Sequence, residues 1–375
     1  MAQWQDRFDG DVGLRAPLGP EELKSLPGRR GVFLLEGPGG EPILLATAAN
    51  IRARMRFRLA APDEKPSKRV DLRAVAARLR WKLTHSHFET DWQFLELARV
   101  IYPGRYKQLL SFRPAWFVHV DPEDAFPWFR PTRRAQPGRG RHFGPFPDRR
   151  SPGRFIEILQ DVFGLCRSER SLRRGGSGCV YAQMGRCRAP CRGRTSMDEY
   201  RRIVADACRC AEGARQPVRL ALEAEMRRLA AEKLYEQAGE CKARLERLEE
   251  LGREEFRHVG PIERFQYVLA QPGPSRRKAK VFFVDRGAIA PADGLDYPLR
   301  PEQAAAAISA MRDFCAAPRP GGTELEGIAL VSHYLFVSPQ RRGLAVRYDD
   351  ALDAEALIRH VESAADLLKL RPPRR

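Results

Sequence analysis

Four cysteines in a basic segment rich in Gly and Pro constrain the fold of this chain more than any other feature. Cys166, Cys179, Cys187 and Cys191 are separated by 12, 7 and 3 residues. Four thiolates can close a tetrahedral zinc site or hold an iron–sulfur cluster. The spacing predicts metal binding but does not decide the metal, because only the last pair is close in sequence. Four unrelated thiols are the alternative.

Positive charge is concentrated around these cysteines. The whole chain carries a net charge of +18, and residues 130–194 alone contain sixteen arginines, no lysine and four acidic residues. Because guanidinium groups pair bidentately with phosphate oxygens, the segment predicts a polyanionic partner, nucleic acid before membrane. A coding bias towards arginine is the alternative. The residues expected to contact the nucleic acid are Arg130, Arg133, Arg134, Arg139, Arg141, Arg149, Arg150, Arg186 and Arg188.

The pattern along the chain predicts an α/β multidomain protein that begins with an α/β domain over residues 20–107. Apolar runs at 31–36 and 42–46 flank a Gly-Pro turn and predict a β-hairpin. Ile51, Met55 and Leu59 recur at helical spacing. Further helices are expected at 72–79 and 89–101, with a strand at 81–86.

The remaining chain divides into three predicted parts. Residues 108–215 form the module rich in Arg and Cys, with a strand at 115–120, a basic loop over 130–150 and a helix from Ser151. Residues 216–252 are helical with a break near 235–239, which predicts an antiparallel helical hairpin. Residues 253–375 form a C-terminal α/β domain of unassigned fold and function. Its expected strands are 280–285 and 327–337, and its expected helices are 300–314 and 354–370.

The N-terminal sequence shows no export signal, and no uncharged apolar run approaches the roughly 18 residues of a membrane span. We therefore expect a cytoplasmic protein without a membrane partner.

Several motifs resemble one family. The segments "FGPFPDRR", "VFGLCRSER" and "CVYAQMGRCRAPCRGRTSMDEYRRIV" are similar in order and spacing to the UvrC family, the nuclease subunit of nucleotide-excision repair. "LPGRRGVFLLEGPGGEPILLATAANIRARMRF" resembles the start of that family's GIY-YIG nuclease domain, and "LEAEMRRLAAEKLYEQAGECKARLERL" resembles its UVR hairpin. Together these segments cover residues 26 to about 251, as expected for a truncated and divergent member. The resemblance implies that the four cysteines hold an iron–sulfur cluster, with zinc as the alternative.

The resemblance also implies where a GIY-YIG nuclease site would lie and how this chain departs from it. Such a site uses two tyrosines, a lysine, an arginine and a metal-binding glutamate, and the last two correspond to Arg54 and Glu89. Phe33 and Leu44 replace the tyrosines, and Thr47 replaces the lysine. Because Phe and Leu have no exchangeable proton, we expect the nuclease site to be impaired. Mg²⁺ or Mn²⁺ is expected only if another side chain, such as Tyr106, His85 or His87, serves as the base.

The hairpin implies a partner. By resemblance it docks onto the repair helicase UvrB, or onto a UvrB-like helicase, through Met226, Leu229, Leu234 and Tyr235. The alternative is that its apolar stripe packs on the rest of this chain. The sequence thus favours a DNA-binding accessory or scaffold protein of nucleotide-excision repair. An active metal-dependent endonuclease that incises DNA and an RNA-binding protein are the alternatives.

Overall fold

The computed structural model describes residues 4–15, 20–59, 72–135, 138, 140–175, 179–318 and 322–372. Within these ranges the chain is a mixed α/β structure with three four-stranded sheets, and every strand pairing is antiparallel. This confirms the predicted α/β multidomain class. None of the described helices is long and apolar enough to cross a membrane.

The first unit is a sheet of order β1-β4-β2-β3 with helices beside it. Its elements are β1 (Gly10–Gly13), α1 (Pro20–Ser25), β2 (Gly31–Glu36), β3 (Pro42–Ala48), α2 (Ile51–Leu59), β4 (Arg78–Leu83), α3 (His87–Ile101) and α4 (Tyr106–Leu109). The predicted hairpin and the helix on Ile51, Met55 and Leu59 are confirmed, and those three side chains are fully buried. The prediction of a helix at 72–79 was wrong. Only one 3₁₀ turn lies at Leu72–Ala74, and Leu79 belongs to β4.

Strand β4 is also displaced from its predicted position. It ends at Leu83 rather than at residue 86, because Ser86 accepts a hydrogen bond from the backbone N–H of Glu89 and caps α3. A serine in this role satisfies one of the free N–H groups of a first helical turn.

The second unit is a sheet of order β6-β5-β7-β8 covered by helices. Its elements are β5 (Trp116–Val120), β6 (Arg130–Thr132), β7 (Arg141–Phe146), α5 (Ser151–Phe163), α6 (Glu169–Arg174), α7 (Val180–Gln183), α8 (Met197–Ala211) and, after the hairpin, β8 (Gly260–Pro261). The predicted strand at 115–120 and the helix from Ser151 are confirmed. Much of the expected basic loop over 130–150 is instead sheet, since β6 and β7 flank β5 on both sides.

The helical hairpin consists of α9 (Arg215–Ala231) and α10 (Tyr235–Glu249). The break lies at residues 232–234, earlier than expected, with Lys233 in the left-handed region at φ 62°. The base of the hairpin packs on α5, where the Nε of Arg244 donates to the carbonyl of Val162 at 2.8 Å and Arg247 pairs with Asp161 at 2.9 Å. Leu222 and Leu248 are buried there.

The third unit is a sheet of order β11-β10-β9-β12 with helices on both faces. Its elements are β9 (Gln266–Ser275), β10 (Lys278–Asp285), β11 (Ala288–Asp296), α11 (Pro301–Ala316), α12 (Leu325–Leu335), α13 (Pro339–Arg342), β12 (Leu344–Arg347) and α14 (Ala354–Ser363). The predicted strand at 280–285 and helix at 300–314 are confirmed. The strand expected at 327–337 was wrong, because that segment lies in helix α12.

One aromatic core joins the first and third units. Phe88 and Trp92 of α3 contact the ring of Phe282 in β10 edge to face, with centroids 5.2 and 5.3 Å apart. Phe88 also contacts Tyr334 of α12 at 5.3 Å. Since each of these rings is buried or nearly so, one side of the third sheet is covered by α3 and α12 together. The start of α3 is therefore held against the C-terminal unit.

Candidate functional site

The two positions predicted to correspond to the GIY-YIG tyrosines are apolar parts of the first sheet. Phe33 in β2 is 1% exposed and lies opposite Ala46. Leu44 lies opposite Leu35 and packs against the same core. Thr47 is half-buried in β3. Neither Phe33 nor Leu44 offers a hydroxyl to a water or a phosphate, so these strands supply packing in place of acid–base groups.

Glu89 is engaged on both carboxylate oxygens. Its backbone N–H donates to the Ser86 hydroxyl at 3.0 Å, and its Oε2 accepts the backbone N–H of His85 at 2.7 Å. This reciprocal arrangement is close to a capping box, in which a serine and a glutamate three residues later close the first turn of a helix. The other oxygen, Oε1, forms an ion pair with Lys280 of β10.

The environment of Glu89 does not fit a divalent metal. Its side chain is 5% exposed, and its charge is already balanced by the ammonium of Lys280. The nearby carboxylate of Asp91 accepts the hydroxyl of Tyr334 at 2.6 Å. No carboxylate cluster that could hold an ion is found in the described parts of the chain. The partner Lys280 was missed at the sequence level, because 191 positions separate it from Glu89.

Of the other residues of the predicted nuclease site that the structure describes, His85 lies next to Glu89 but Arg54 is not bonded to it. Arg54 is exposed on α2, and within the described ranges no hydrogen bond or ion pair joins it to Glu89. His85 lies beside Glu89, with Nε2 2.9 Å from the guanidinium of Arg29. Burial, together with the charge of Lys280, lowers the pKa of His85.

The two remaining candidate bases, His87 and Tyr106, each lie close to a cationic side chain. The guanidinium of Arg30 lies 3.2 Å from both ring nitrogens of His87, and burial and this charge lower the pKa of His87. The ammonium of Lys107 lies 5.8 Å from the ring centroid of Tyr106 and pairs with Glu326 at 2.6 Å. Within the described residues, no hydrogen bond or ion pair joins either group to Glu89.

The second unit brings the four predicted cysteines towards one another. Cys166 follows the C-terminus of α5, where Gly164 adopts φ 65°, and its backbone N–H donates to the hydroxyl of Tyr200 at 3.2 Å. Cys187 follows α7, and Cys191 lies in a 3₁₀ turn. Cys179 immediately precedes α7. Cys166 and Cys187 are buried, and Cys179 and Cys191 are half-buried.

Electrostatics links these four thiols. The thiol of Cys166 donates to the carbonyl of Ser168 at 3.5 Å. The hydrogen-bonding interaction between the Cys166 and Cys187 thiols raises the pKa of Cys166 and lowers the pKa of Cys187. Burial, and then the charges of Cys187 and Cys179, raise the pKa of Cys191. The donor set of four sulfurs suits zinc or an iron–sulfur cluster. As placed, no three of the described His, Cys, Asp or Glu side chains already have a metal-holding arrangement.

The other four cysteines lie in helices, apart from this group. Cys208 and Cys210 are fully buried in α8, Cys241 lies in α10 and Cys315 lies in α11. Burial raises the pKa of Cys208 to about 12 and that of Cys210 to about 11. These two behave as small apolar side chains of the core.

Eight of the nine arginines expected to contact DNA are exposed on the second unit. Arg139 lies outside the described residues. Among the other eight, only Arg141 forms an ion pair with a carboxylate, that of Glu212. Arg130 contacts the Nδ1 of His119 at 3.3 Å, and Arg188 donates to the carbonyl of Phe163 at 3.3 Å. Most of these guanidinium groups are thus available to phosphates.

Two of these arginines border a cavity beside the cysteines. Arg186 and Arg188 line a cavity of about 770 Å³ between the cysteine segment and α10. Its other wall carries Arg244 and Arg247 together with acidic side chains, so its charge is mixed.

The four predicted partner-binding residues fall into two pairs. Leu229 is 5% exposed and packs with Met226, Ala238 and Cys241 between the two helices of the hairpin. Leu234 and Tyr235, at the turn, are 41% and 68% exposed. Only the second pair offers an apolar surface to another molecule.

Comparison with known proteins agrees with the motifs. Residues 115–210 match the family described as UvrC/Cho excinuclease, middle domain. The chain is 28% identical over 271 residues to UvrABC system protein C of Syntrophomonas wolfei, covering 72% of this chain and 45% of that protein. It is 26% identical to the Leptospira biflexa protein of the same name, covering 62% and 38%. The matches thus span less than half the length of these relatives. No solved structure matches the chain significantly.

Proposed function

From its place as a divergent member of the UvrC family, we propose that this chain is a cytoplasmic DNA-binding accessory or scaffold protein of nucleotide-excision repair. The observation that carries the proposal is the ion pair between Glu89 and Lys280. The second unit, in turn, exposes several arginines that form no ion pair with a carboxylate within the described residues. The exposed arginines provide positive charge that can bind a phosphate backbone. The carboxylate of Glu89, at the position of the GIY-YIG metal ligand, instead caps α3 and pairs with Lys280.

The loss of nuclease chemistry at this site has a simple physical basis. Hydrolysis of a phosphodiester needs a base for the attacking water and a cation for the developing charge. Phe33 and Leu44 provide no base, and a metal at Glu89 would compete with the ammonium of Lys280 for the carboxylate. Removing a general base alone typically slows a reaction by about 10² to 10⁴.

The cysteine group would act as a brace for the DNA-binding surface. Cys166, Cys179, Cys187 and Cys191 would hold an iron–sulfur cluster, with zinc as the alternative. Such a centre would link the end of α5 to the segment that carries Arg186 and Arg188. Its contribution would be structural, because metal binding stabilises only the state in which all ligands converge.

The hairpin would contact a UvrB-like helicase through its turn. Leu234 and Tyr235 are the exposed apolar residues there, and tyrosine is among the residues that most often dominate interface energies. The base of the hairpin is already committed to α5, so the proposed contact is confined to the far end.

Salt-dependent DNA affinity tests the proposed function. A protein that neutralises several phosphates releases counterions, so its binding constant falls steeply as salt rises. We expect such a fall for a lesion-bearing duplex, with a shallower slope for Arg186→Ala/Arg188→Ala. Arg359→Ala, an exposed change in α14, is the matched control. Affinity that is independent of salt would contradict the proposal.

A further inference from the structure

We propose that a cleft between the second sheet and α12 binds one unpaired nucleotide of the DNA strand; this inference rests on the proposed function and assigns a specific site to it. The cleft has a volume of about 710 Å³. It is lined by the residues before and at the start of β5, by those that follow β6 and β7, and by the C-terminal half of α12. This volume is typical of sites for small ligands and is far too small for a duplex.

The floor of the cleft is apolar and aromatic. Phe112 and Phe146 are buried beneath it, and the half-buried rings of Trp116 and Phe336 face it. Aromatic side chains bind bases of any sequence, because every base has a π-face on which to stack. A floor of this kind accepts a base only when that base has left its own stack.

The rim of the cleft is cationic. Arg113, Arg133 and Arg149 are all exposed on it, and none of them forms an ion pair with a carboxylate in the described parts of the chain. The carboxylate of Asp148 also lines the cleft, but its Oδ1 already accepts the backbone N–H groups of Arg150 and Ser151 at 2.6 and 2.9 Å. The cleft therefore carries three cationic side chains and one carboxylate, a net positive lining.

The arrangement of rim and floor matches the two halves of a nucleotide. The guanidinium of Arg133 lies over the ring of Trp116, 4.5 Å from its centroid. A base entering the cleft would therefore stack on this guanidinium plane or displace it from the ring. A phosphate bound by Arg133 and Arg149 would place its attached base over the aromatic floor. Arg113 is not among the predicted DNA-contacting arginines, because it precedes the arginine-rich segment. The folded chain brings it to the cleft.

The test compares a continuous duplex with a duplex that carries one extrahelical 2-aminopurine. We expect the protein to bind the bulged duplex about tenfold more tightly and to quench the 2-aminopurine fluorescence on stacking. Arg133→Ala/Arg149→Ala and Trp116→Ala should remove most of this preference. Because both arginines also belong to the predicted DNA-contacting set, the readout is the ratio of the two affinities and not the affinity for the continuous duplex. Trp116→Phe should retain part of it. Arg276→Ala, an exposed change in the turn between β9 and β10, is the control.

Each outcome distinguishes this inference from the proposed function. A wild-type protein that binds neither duplex would contradict the proposed function. Equal affinity for the two duplexes, or a preference that survives the double arginine change, would contradict the cleft assignment alone. The arginine variants alter exposed side chains and therefore test the site even if Trp116→Ala does not fold. A bulged RNA duplex bound as tightly as its DNA counterpart would overturn the assignment to DNA.

Discussion

Lys280 of β10 forms an ion pair with Glu89 of α3, across the boundary between the third and first units of the chain. The contact uses the carboxylate that would hold a metal in a GIY-YIG nuclease. It also lies beside the aromatic contacts of Phe88 and Trp92 with Phe282, so packing and charge join the two units at the same place. The carboxylate expected to bind a metal thus takes part in a contact between two units of the chain.

The Glu89–Lys280 pair should stabilise the fold. Lys280→Met leaves a buried carboxylate without its cation, and we expect the free energy of unfolding to fall by about 1–2 kcal/mol, a value reduced because the lysine is partly exposed. Urea unfolding measures this change. Lys278→Met, on the same strand and 48% exposed, is the control and should cost less. Adding Glu89→Gln to Lys280→Met should recover part of the loss; strictly additive losses would argue against the pair.

Metal binding should depend on the group formed by Cys166, Cys179, Cys187 and Cys191 and not on the cysteines of the helices. We expect Cys187→Ala to lose the bound metal and lower the melting temperature, because a tetrahedral site needs all four ligands. Cys208→Ala, a buried change in the neighbouring α8, should keep the metal. Metal and sulfide analysis of anaerobically purified protein makes the comparison. Equal metal content in the two variants would rule out a site at these cysteines.

His142 should make the stability of the second unit depend on pH. Burial, with the charges of His119 and Arg130, lowers the pKa of His142 from about 6.5 to about 4. Because the unfolded chain then binds a proton at His142 more readily than the folded chain, neutral His142 contributes fully to the free energy of unfolding above about pH 6.5. This contribution is lost as the pH falls towards 4. We expect a loss of about 1–3 kcal/mol over this range. Urea unfolding of His142→Phe should show a smaller loss, and an unchanged pH dependence would exclude this role.

The turn of the hairpin should decide partner binding. Tyr235→Asp places a charge on the exposed end, and we expect it to weaken capture of a UvrB-like helicase by about tenfold or more. Leu220→Asp changes another exposed apolar residue of the hairpin, 54% exposed on α9, and should leave capture unchanged. Titration with the purified helicase supplies the affinities. A stronger effect of Leu220→Asp than of Tyr235→Asp would place the contact elsewhere.

Local sequence patterns predicted those helices and strands in which buried residues recur at a regular helical or strand spacing. Ile51, Met55 and Leu59 gave α2 because one helical face meets the core. The segment 327–337 was misassigned because α12 is buried on nearly all sides, so its apolar run has no period. Strand β7 was hidden by its Gly, Pro and Arg content and forms through pairing with β5.

The candidate site was predictable in its residues but not in its contacts. The motifs located Glu89, the four cysteines and most of the arginines. Lys280, which pairs with Glu89, and Arg113, which joins Arg133 and Arg149 at the cleft, lie far away in sequence or outside any motif. Contacts between separate units depend on tertiary packing, which local sequence patterns do not encode.

The most direct measurement of the central claim is an incision assay on lesion-bearing and nicked duplex DNA with Mg²⁺ or Mn²⁺, with and without a UvrB-like helicase. The account predicts that the protein binds these duplexes and leaves them uncut under every condition, and that Lys280→Met does not restore cutting, because Phe33 and Leu44 still supply no base. Metal-dependent incision by the wild-type protein that disappears in Glu89→Gln would contradict the account and would show a working nuclease centre at this site.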